Sequence, residues 1–253
     1  MELIRPQWPT SSKVHSLIST RLGGVSQPPY DSLNLGSHVG DAAEHVAQNR
    51  RLIRSQVPSV PIWLQQIHGT KVSTPEQRIK LVGQPIIADA AITDIPNEVL
   101  AILTADCLPV LFAANDGSII GAAHAGWKGL CSGILENTVS EMLLNCPKLN
   151  STDLLVYLGP AIGPHAYEVG QDVYETFAAS SIGIKKGDFQ KIPDKNGKYL
   201  ANLYSLAKNR LTALGINQIA GGQMCTFQDS NLFFSYRRDG VTGRFASFIW
   251  IGL

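Results

Sequence analysis

Residues 99–129, VLAILTADCLPVLFAANDGSIIGAAHAGWKG, decide the fold. Three short apolar runs stand in this stretch, at 99–104, 110–114 and 118–123. Each has strand length and is bounded by polar or turn-forming residues. Asp116-Gly117 between the last two is a hairpin signal, because Gly takes the left-handed conformation that a tight turn needs. After residue 123 the pattern changes. His124-Ala125-Gly126-Trp127-Lys128-Gly129 leads from a strand into a helical stripe of Leu130, Ile134, Thr138 and Met142. The runs are apolar on both faces, so helices or a second sheet must cover them.

Working outward, residues 154–158 read as another buried strand. Residues 232–238 and 245–251 read as two strands flanking the turn-like Asp239-Gly240-Val241-Thr242-Gly243. Asp41-Ala42-Ala43-Glu44 has the form of a capping box and opens a helix with Ala42, Val46, Ile53 and Val57 on one face. A further helix is expected at about 199–214, with Leu200, Leu203, Ala207, Leu211 and Leu214 in one stripe and Gly215 as its stop. Hairpins mixed with helices, without regular β-α alternation, predict an α+β fold of mixed sheets with covering helices. No repeat, linker or low-complexity segment divides the chain, so residues 1–253 are expected to form a single domain.

Composition narrows the function. Charged residues make up only 16% of the chain and the net charge is +1. Neither a nucleic-acid surface nor a polybasic membrane patch fits that balance. The longest charge-free stretch, 55–70, contains Pro58, Pro61 and three glutamines and is no membrane span. Met1-Glu2-Leu3-Ile4-Arg5-Pro6 lacks an apolar signal core, so a cytoplasmic protein is expected. Four cysteines are too sparse for a disulfide scaffold and are expected to be free thiols, core fillers or metal ligands.

Phosphate loops, dinucleotide fingerprints, His-Glu-x-x-His and Cys-x-x-Cys are all absent from the sequence. Three segments instead place a metal-competent side chain at the mouth of a strand: His68 in Gln65-Gln66-Ile67-His68-Gly69-Thr70, Cys107 in Thr104-Ala105-Asp106-Cys107-Leu108-Pro109, and His124 in Ala123-His124-Ala125-Gly126-Trp127-Lys128-Gly129. Two imidazoles and a thiolate make a three-donor set of the kind that leaves catalytic zinc a free position. The bland alternative is a pair of core histidines and a small apolar cysteine. Cys131 in Gly129-Leu130-Cys131-Ser132-Gly133 imitates a nucleophile elbow, but it falls in the apolar stripe of a helix and reads as core. Thr20-Arg21-Leu22-Gly23-Gly24-Val25-Ser26, with Asn34 soon after, offers a cation and backbone N–H groups to an anion, or is ordinary turn chemistry. Arg238 in Tyr236-Arg237-Arg238-Asp239 is either a second anion contact or a solvated hairpin end.

Taken together, Thr20-Arg21-x-Gly23-Gly24-Val25-Ser26, Ser32-Leu33-Asn34-Leu35-Gly36, Gln66-Ile67-His68-Gly69, Ala105-Asp106-Cys107-Leu108-Pro109-Val110, His124-Ala125-Gly126-Trp127, Gly159-Pro160-Ala161-Ile162-Gly163 and Phe234-Ser235-Tyr236-Arg237-Arg238 resemble the laccase-domain, or polyphenol-oxidase (YfiH-type), family. In bacteria this family is also called peptidoglycan editing factor. The resemblance covers essentially the whole chain. It implies an α+β fold related to cysteine-hydrolase-like toxins (CNF/YfiH-like). It implies a zinc site made by His68, Cys107 and His124. It also implies purine nucleoside phosphorylase activity on adenosine, inosine and methylthioadenosine, with adenosine deaminase activity at the same site.

On that reading, phosphate is expected near Arg21, Gly24 and Asn34, with Arg238 as a further substrate contact. Cys107 and His124 would serve the chemistry. Asp106 or Asp89 would orient a metal-bound histidine or shuttle protons, or would simply cap turns. Rival readings are a hydrolase that edits peptidoglycan precursors, a copper-dependent polyphenol oxidase, a metal-free enzyme with Cys107 as nucleophile and His124 as base, and a protein in which zinc is only a structural clip. Six histidines with no His-x-His pair are too few for a multicopper centre, although copper outranks zinc in intrinsic affinity for such a donor set.

Overall fold

The computed structural model describes residues 1–81 and 83–253. Two six-stranded sheets and a small third one organise the chain. The first sheet runs β1 (Leu3–Ile4), β2 (Val14–Ser19), β15 (Phe245–Ile251), β7 (Leu100–Thr104), β3 (Ile62–Gln65), β5 (Ile86–Ile87). The second runs β14 (Gln218–Gly221), β10 (Leu154–Leu158), β8 (Leu108–Ala114), β9 (Ile120–Ala125), β6 (Ala90–Thr93), β4 (Val72–Ser73). The third holds β11 (Glu168–Gly170), β13 (Lys198–Ala201) and β12 (Phe189–Lys191). Among the described residues, seven α-helices connect or cover them: α1 (Ala43–Arg54), α2 (Pro75–Lys80), α3 (Trp127–Ser132), α4 (Ile134–Asn145), α5 (Gln171–Ala178), α6 (Leu203–Ala213) and α7 (Tyr236–Asp239).

The doubly apolar strands find cover on both sides, as their composition requires. Between the two large sheets, Ile18, Leu100, Ile102 and Ile249 pack against Leu111, Ala113, Ile120 and Ala122. The other face of the second sheet, with Val110, Phe112 and Val156, lies under Leu135, Val139 and Met142 of α4 and Leu203, Ala207 and Leu211 of α6. The other face of the first sheet, with Leu17, Ala101, Leu103 and Phe248, lies under Ile53 of α1 and Leu33 and Leu35. The result is helix, sheet, sheet, helix, an α+β arrangement that matches the expectation. Among the described residues no helix is long and apolar enough to cross a membrane.

Four local expectations need correction. Residues 232–238 are not a strand. Phe233 and Phe234 are fully buried, and the segment turns through Leu232 and Phe233 amides donating to the Asp229 carbonyl before the single turn of α7. Its apolarity reflects burial of an irregular segment. The helix after Gly129 is two helices, broken where Gly133 takes φ 98°. Residues 198–201 pair in a sheet, and the helix starts only at Leu203, where the Asn202 side chain accepts from the Ser205 amide. No capping box opens α1. Asp41 spends one carboxylate oxygen on the Ser26 hydroxyl at 2.6 Å and the Asn34 amide at 2.8 Å.

Candidate metal centre and its cavity

The site forms where strands of both large sheets end together. β3 runs out into Gln66, Ile67 and His68. The Gln66 side chain donates to the Leu103 carbonyl at 2.8 Å and accepts the Leu103 amide at 2.9 Å, which ties this loop to β7. β7 runs out into Ala105, Asp106 and Cys107 before β8. Asp106 makes that corner in the left-handed region, at φ 93°. Its carboxylate accepts the Thr226 hydroxyl at 2.7 Å and the Arg237 amide at 2.6 Å. The hairpin of β8 and β9 sets Pro109 opposite His124, which returns the imidazole to within reach of Cys107.

Asp89 completes the assembly. It is fully buried, immediately before β6, whose Ala90 pairs with Ala123 of β9. It accepts the amides of Ile67 at 3.1 Å, His68 at 2.9 Å and Gly69 at 2.7 Å, and its Oδ1 lies 2.8 Å from His124 Nδ1. Those amides hold His68 at φ 61°, a conformation that a non-glycine residue adopts only where the surroundings enforce it. Of the two carboxylates considered from sequence, Asp89 is the one that orients a histidine.

His68, Cys107 and His124 bring one donor atom each to within 4.8 Å of one another. The two rings meet edge to face at a centroid separation of 4.8 Å, and Cys107 Sγ lies 3.9 Å from His68 Nε2. Burial alone would push the Cys107 thiol up, but the His124 charge and hydrogen bonds from both histidines outweigh it and bring its pKa to about 6. Burial would likewise lower His124, yet the Cys107 thiolate and the Asp89 carboxylate raise it to about 9. Burial works against the Asp89 carboxylate too, and the hydrogen bonds from His124, Gly69 and Ile67 hold it below its ordinary value. A thiolate facing an imidazolium is the protonation state that a soft cation displaces most readily. The space is also reserved: a methyl group on Gly126 would stand 2.9 Å from His68 Cδ2 and 3.0 Å from Cys107 Sγ. This donor set fits one soft or borderline cation such as zinc.

The three donors open onto a cavity of about 440 Å³. Leu103, Ile162, Leu203, Trp127 and Tyr167 supply apolar and aromatic wall, and Arg237 and Arg244 supply positive charge. His38 and Thr104 also line it; the sequence offers Thr104 only as the head of the Cys107 segment and gives His38 a surface or packing reading. Burial pushes the Tyr167 phenol up, so it stays protonated.

Of the expected site residues, the cavity gathers His68, Cys107, His124 and Asp106, whereas Arg21, Gly24, Asn34 and Arg238 lie outside its lining. Arg21 pairs with Asp31 at 3.1 Å, donates to the Asp31 and Ser230 carbonyls and lies over the Phe234 ring. Asn34 is fully buried and holds the Arg244 amide at 2.8 Å. Gly24 has no room for a side chain against the Ser32 carbonyl. Arg238 donates to the carbonyls of Thr226, Phe227 and Phe233 and pairs with Asp239. Their side-chain polar groups all find partners within the protein. Cys131 lies in α3, packs against the core and donates to the Thr176 carbonyl.

A family model described as multi-copper polyphenol oxidoreductase laccase matches residues 15–252. Purine nucleoside phosphorylase YfiH of Escherichia coli (strain K12) is 49% identical over 260 residues, covering 99% of each chain. A purine nucleoside phosphorylase of Haemophilus influenzae is 46% identical over 252 residues, with 99% of each chain covered. A crystal structure of a Neisseria meningitidis protein matches with a TM-score of 0.90 at 43% identity and covers 100% of both chains. That of a Bacillus licheniformis hypothetical protein YfiH matches with a TM-score of 0.86 at 33% identity, covering 94% of this chain and 92% of the other. Sequence and architecture thus agree from end to end, and the chain belongs to the multi-copper polyphenol oxidoreductase laccase family of YfiH-type proteins.

Proposed function

We propose that the protein is a zinc-dependent purine nucleoside phosphorylase acting on adenosine, inosine and methylthioadenosine, and that the same cavity deaminates adenosine. The observation that carries this reading is the joining of a mixed nitrogen and sulfur donor triad to a cavity with aromatic walls and two arginines. The cavity volume falls in the range of about 300–1,000 Å³ usual for small-ligand sites. The purine nucleoside phosphorylase names of the relatives at 46–49% identity point the same way.

Bound zinc would supply Lewis acidity at the triad. The chain's own residues do the rest. His124 is held with Nδ1 toward Asp89, which leaves Nε2 for the cation. Trp127, Tyr167 and Leu203 give a purine ring flat and apolar surface and shed water from it. The arginines offer donors to phosphate oxygens. In phosphorolysis an oxygen of phosphate bonds to the anomeric carbon while the carbon–nitrogen bond breaks. The electron pair leaves with the purine, which takes up a proton. In deamination the oxygen of water bonds to the carbon bearing the amino group, the carbon–nitrogen bond breaks and ammonia leaves, so no phosphate is needed.

The family description points to several coppers. Among the described residues, however, only one group of three or more histidine, cysteine or acidic side chains can hold an ion. Copper would load that same site in vitro and give weak phenol oxidation.

The test is product analysis on protein of known metal content. Inosine and adenosine are incubated with and without phosphate, and a serine-bearing peptidoglycan precursor is incubated alongside. Phosphate-dependent ribose 1-phosphate from inosine, and phosphate-independent inosine from adenosine, are the expected products. Cleavage of the precursor alone, or full activity after complete zinc removal, overturns the reading.

A further inference from the structure

We propose that Arg244, Thr104 and His38 form a phosphate subsite on the cavity wall, shaped to take a tetrahedral oxyanion; this rests on the phosphorylase reading of the cavity. Phe245 of β15 pairs with Thr104 of β7, so Arg244 and Thr104 stand at neighbouring strand ends. The three residues line the same cavity as the metal donors.

Arg244 is a half-buried cation without a carboxylate partner among the described residues. Its Nη1 donates to the carbonyls of Thr242 at 3.0 Å and Gly243 at 2.9 Å, and its guanidinium lies 5.9 Å from the Tyr236 ring centroid. These contacts fix the plane of the fork. They leave Nε and Nη2 without a hydrogen-bond partner in the described structure. The backbone is pinned as well, since the Arg244 amide donates to Asn34 and its carbonyl accepts from Leu35 at 2.9 Å. Asp106 is a cavity neighbour, but its two oxygens are taken by Thr226 and the Arg237 amide. A rigid, partly desolvated guanidinium that feels the Asp106 and Cys107 charges but forms an ion pair with neither keeps two donor positions for an external anion.

Thr104 supplies the independent observation. It is only 2% exposed, and its hydroxyl has no hydrogen-bond partner in the described structure. Such a group is completed by an ordered water, an ion or a ligand, and Thr104 shares this state with the hydroxyls of Thr242 and Ser247. The His38 ring likewise makes no hydrogen bond within the described residues and stands at the cavity rim. Partial burial and the charges of Arg244 and Arg50 lower its pKa, so it presents a neutral ring with one N–H donor. Arg244, Thr104 and His38 line the same cavity, and together they carry the donors that an anion with several acceptor oxygens needs. Arg237 is differently placed. Its guanidinium donates to the Glu168 carbonyl and lies over the Tyr167 ring, and its amide is spent on Asp106.

The experiment measures the melting temperature of the metal-loaded protein against inorganic phosphate, with chloride at matched ionic strength, and the phosphate KM for inosine cleavage. Wild type should show a saturable rise with phosphate. Arg244→Gln should abolish it. Thr104→Val, which keeps the shape, should weaken the phosphate response roughly tenfold while leaving the unliganded melting temperature equal or higher, because an orphaned hydroxyl has gone. Thr104→Ser, which keeps the hydroxyl but loses a buried methyl, should melt lower without phosphate and retain the phosphate-dependent rise. Unchanged phosphate response in both Arg244→Gln and Thr104→Val overturns the subsite. So does a response that is lost on metal removal and is indifferent to these substitutions, since the anion then sits on the metal. Saturable phosphate binding lost in the variants, without any ribose 1-phosphate from wild type, would refute the phosphorylase reading and leave the subsite standing.

Discussion

Asp89 Oδ1 stands 2.8 Å from His124 Nδ1 while the same carboxylate accepts three successive amides from Ile67, His68 and Gly69. One buried side chain therefore fixes the tautomer of one metal donor and the strained backbone of another. Asp89→Asn replaces one acceptor oxygen with an N–H donor, which faces either the amides or the imidazole N–H. Metal affinity should fall about 10–100-fold, the range seen when an outer partner of a ligating histidine is removed. Competition with a chelator of known affinity measures it, and wild-type affinity in Asp89→Asn would show that Asp89 does not orient the ligand.

Replacing His68, Cys107 or His124 with Ala should each abolish stoichiometric metal, because two remaining donors make a weak site. Cys131→Ala should retain it, since that thiol packs against the core and donates to the Thr176 carbonyl. Metal analysis of the four purified variants decides the matter. A full equivalent of zinc in Cys107→Ala would remove Cys107 from the donor set.

The three donors were legible because each sits where an apolar run stops, and runs of strand length show in sequence. Asp89 was visible only as one of two nearby carboxylates. Its partners come from the β3 exit loop and from β9, and nothing local in the sequence ties those to residue 89. Arg244 was missed, and Thr104 was visible only as the head of the Cys107 segment, for a related reason: only the register of β15 on β7 sets Phe245 opposite Thr104. Arg21 drew attention as a cation beside two glycines, yet the Asp31 carboxylate and the Ser230 carbonyl already satisfy it. Phe233 and Phe234 were read as strand because burial, and not pairing, sets their apolarity. The layer order was readable in outline, since strands apolar on both faces demand two coverings.

Gly126 separates the site from the fold. Its backbone, at φ −63° and ψ 156°, is open to any residue, so alanine adds no conformational strain. The added methyl would nonetheless stand 2.9 Å from His68 Cδ2 and 3.0 Å from Cys107 Sγ. Gly126→Ala should keep the melting temperature of the metal-free protein and lose metal affinity by about tenfold or more, since a displaced donor weakens the remaining set. Isothermal titration with zinc and a thermal melt of the stripped protein test both halves. Unaltered zinc binding would show that the rings and thiol move aside freely.

In metal-free protein, the Cys107 and His124 pair should titrate as one unit. Taken alone, His124, raised to about 9, adds stability below its unfolded value of 6.5 that is lost as pH rises through about 9. Cys107, lowered to about 6, adds stability above its unfolded value of 9.0 that is lost as pH falls through about 6. These are two views of one thiolate–imidazolium contact, present from about pH 6 to about pH 9. Linkage counts protons and not their location. The folded pair sheds protons near 6 and near 9, while the unfolded chain sheds them near 6.5 and 9.0. The counts differ mainly around pH 6 to 6.5, where the unfolded chain holds at most about 0.3 proton more and stability rises slightly with pH. The pair should thus change stability by less than about 1 kcal/mol across this range, while the chemistry of the thiol changes completely. Alkylation of Cys107, followed by peptide mass spectrometry on stripped protein, should show a rate midpoint near pH 6. In His124→Ala, burial acts without its counterweight and the midpoint should rise to the ordinary thiol range or above. A wild-type midpoint in that upper range, or one unmoved in His124→Ala, would mean that the imidazole does not hold the thiolate.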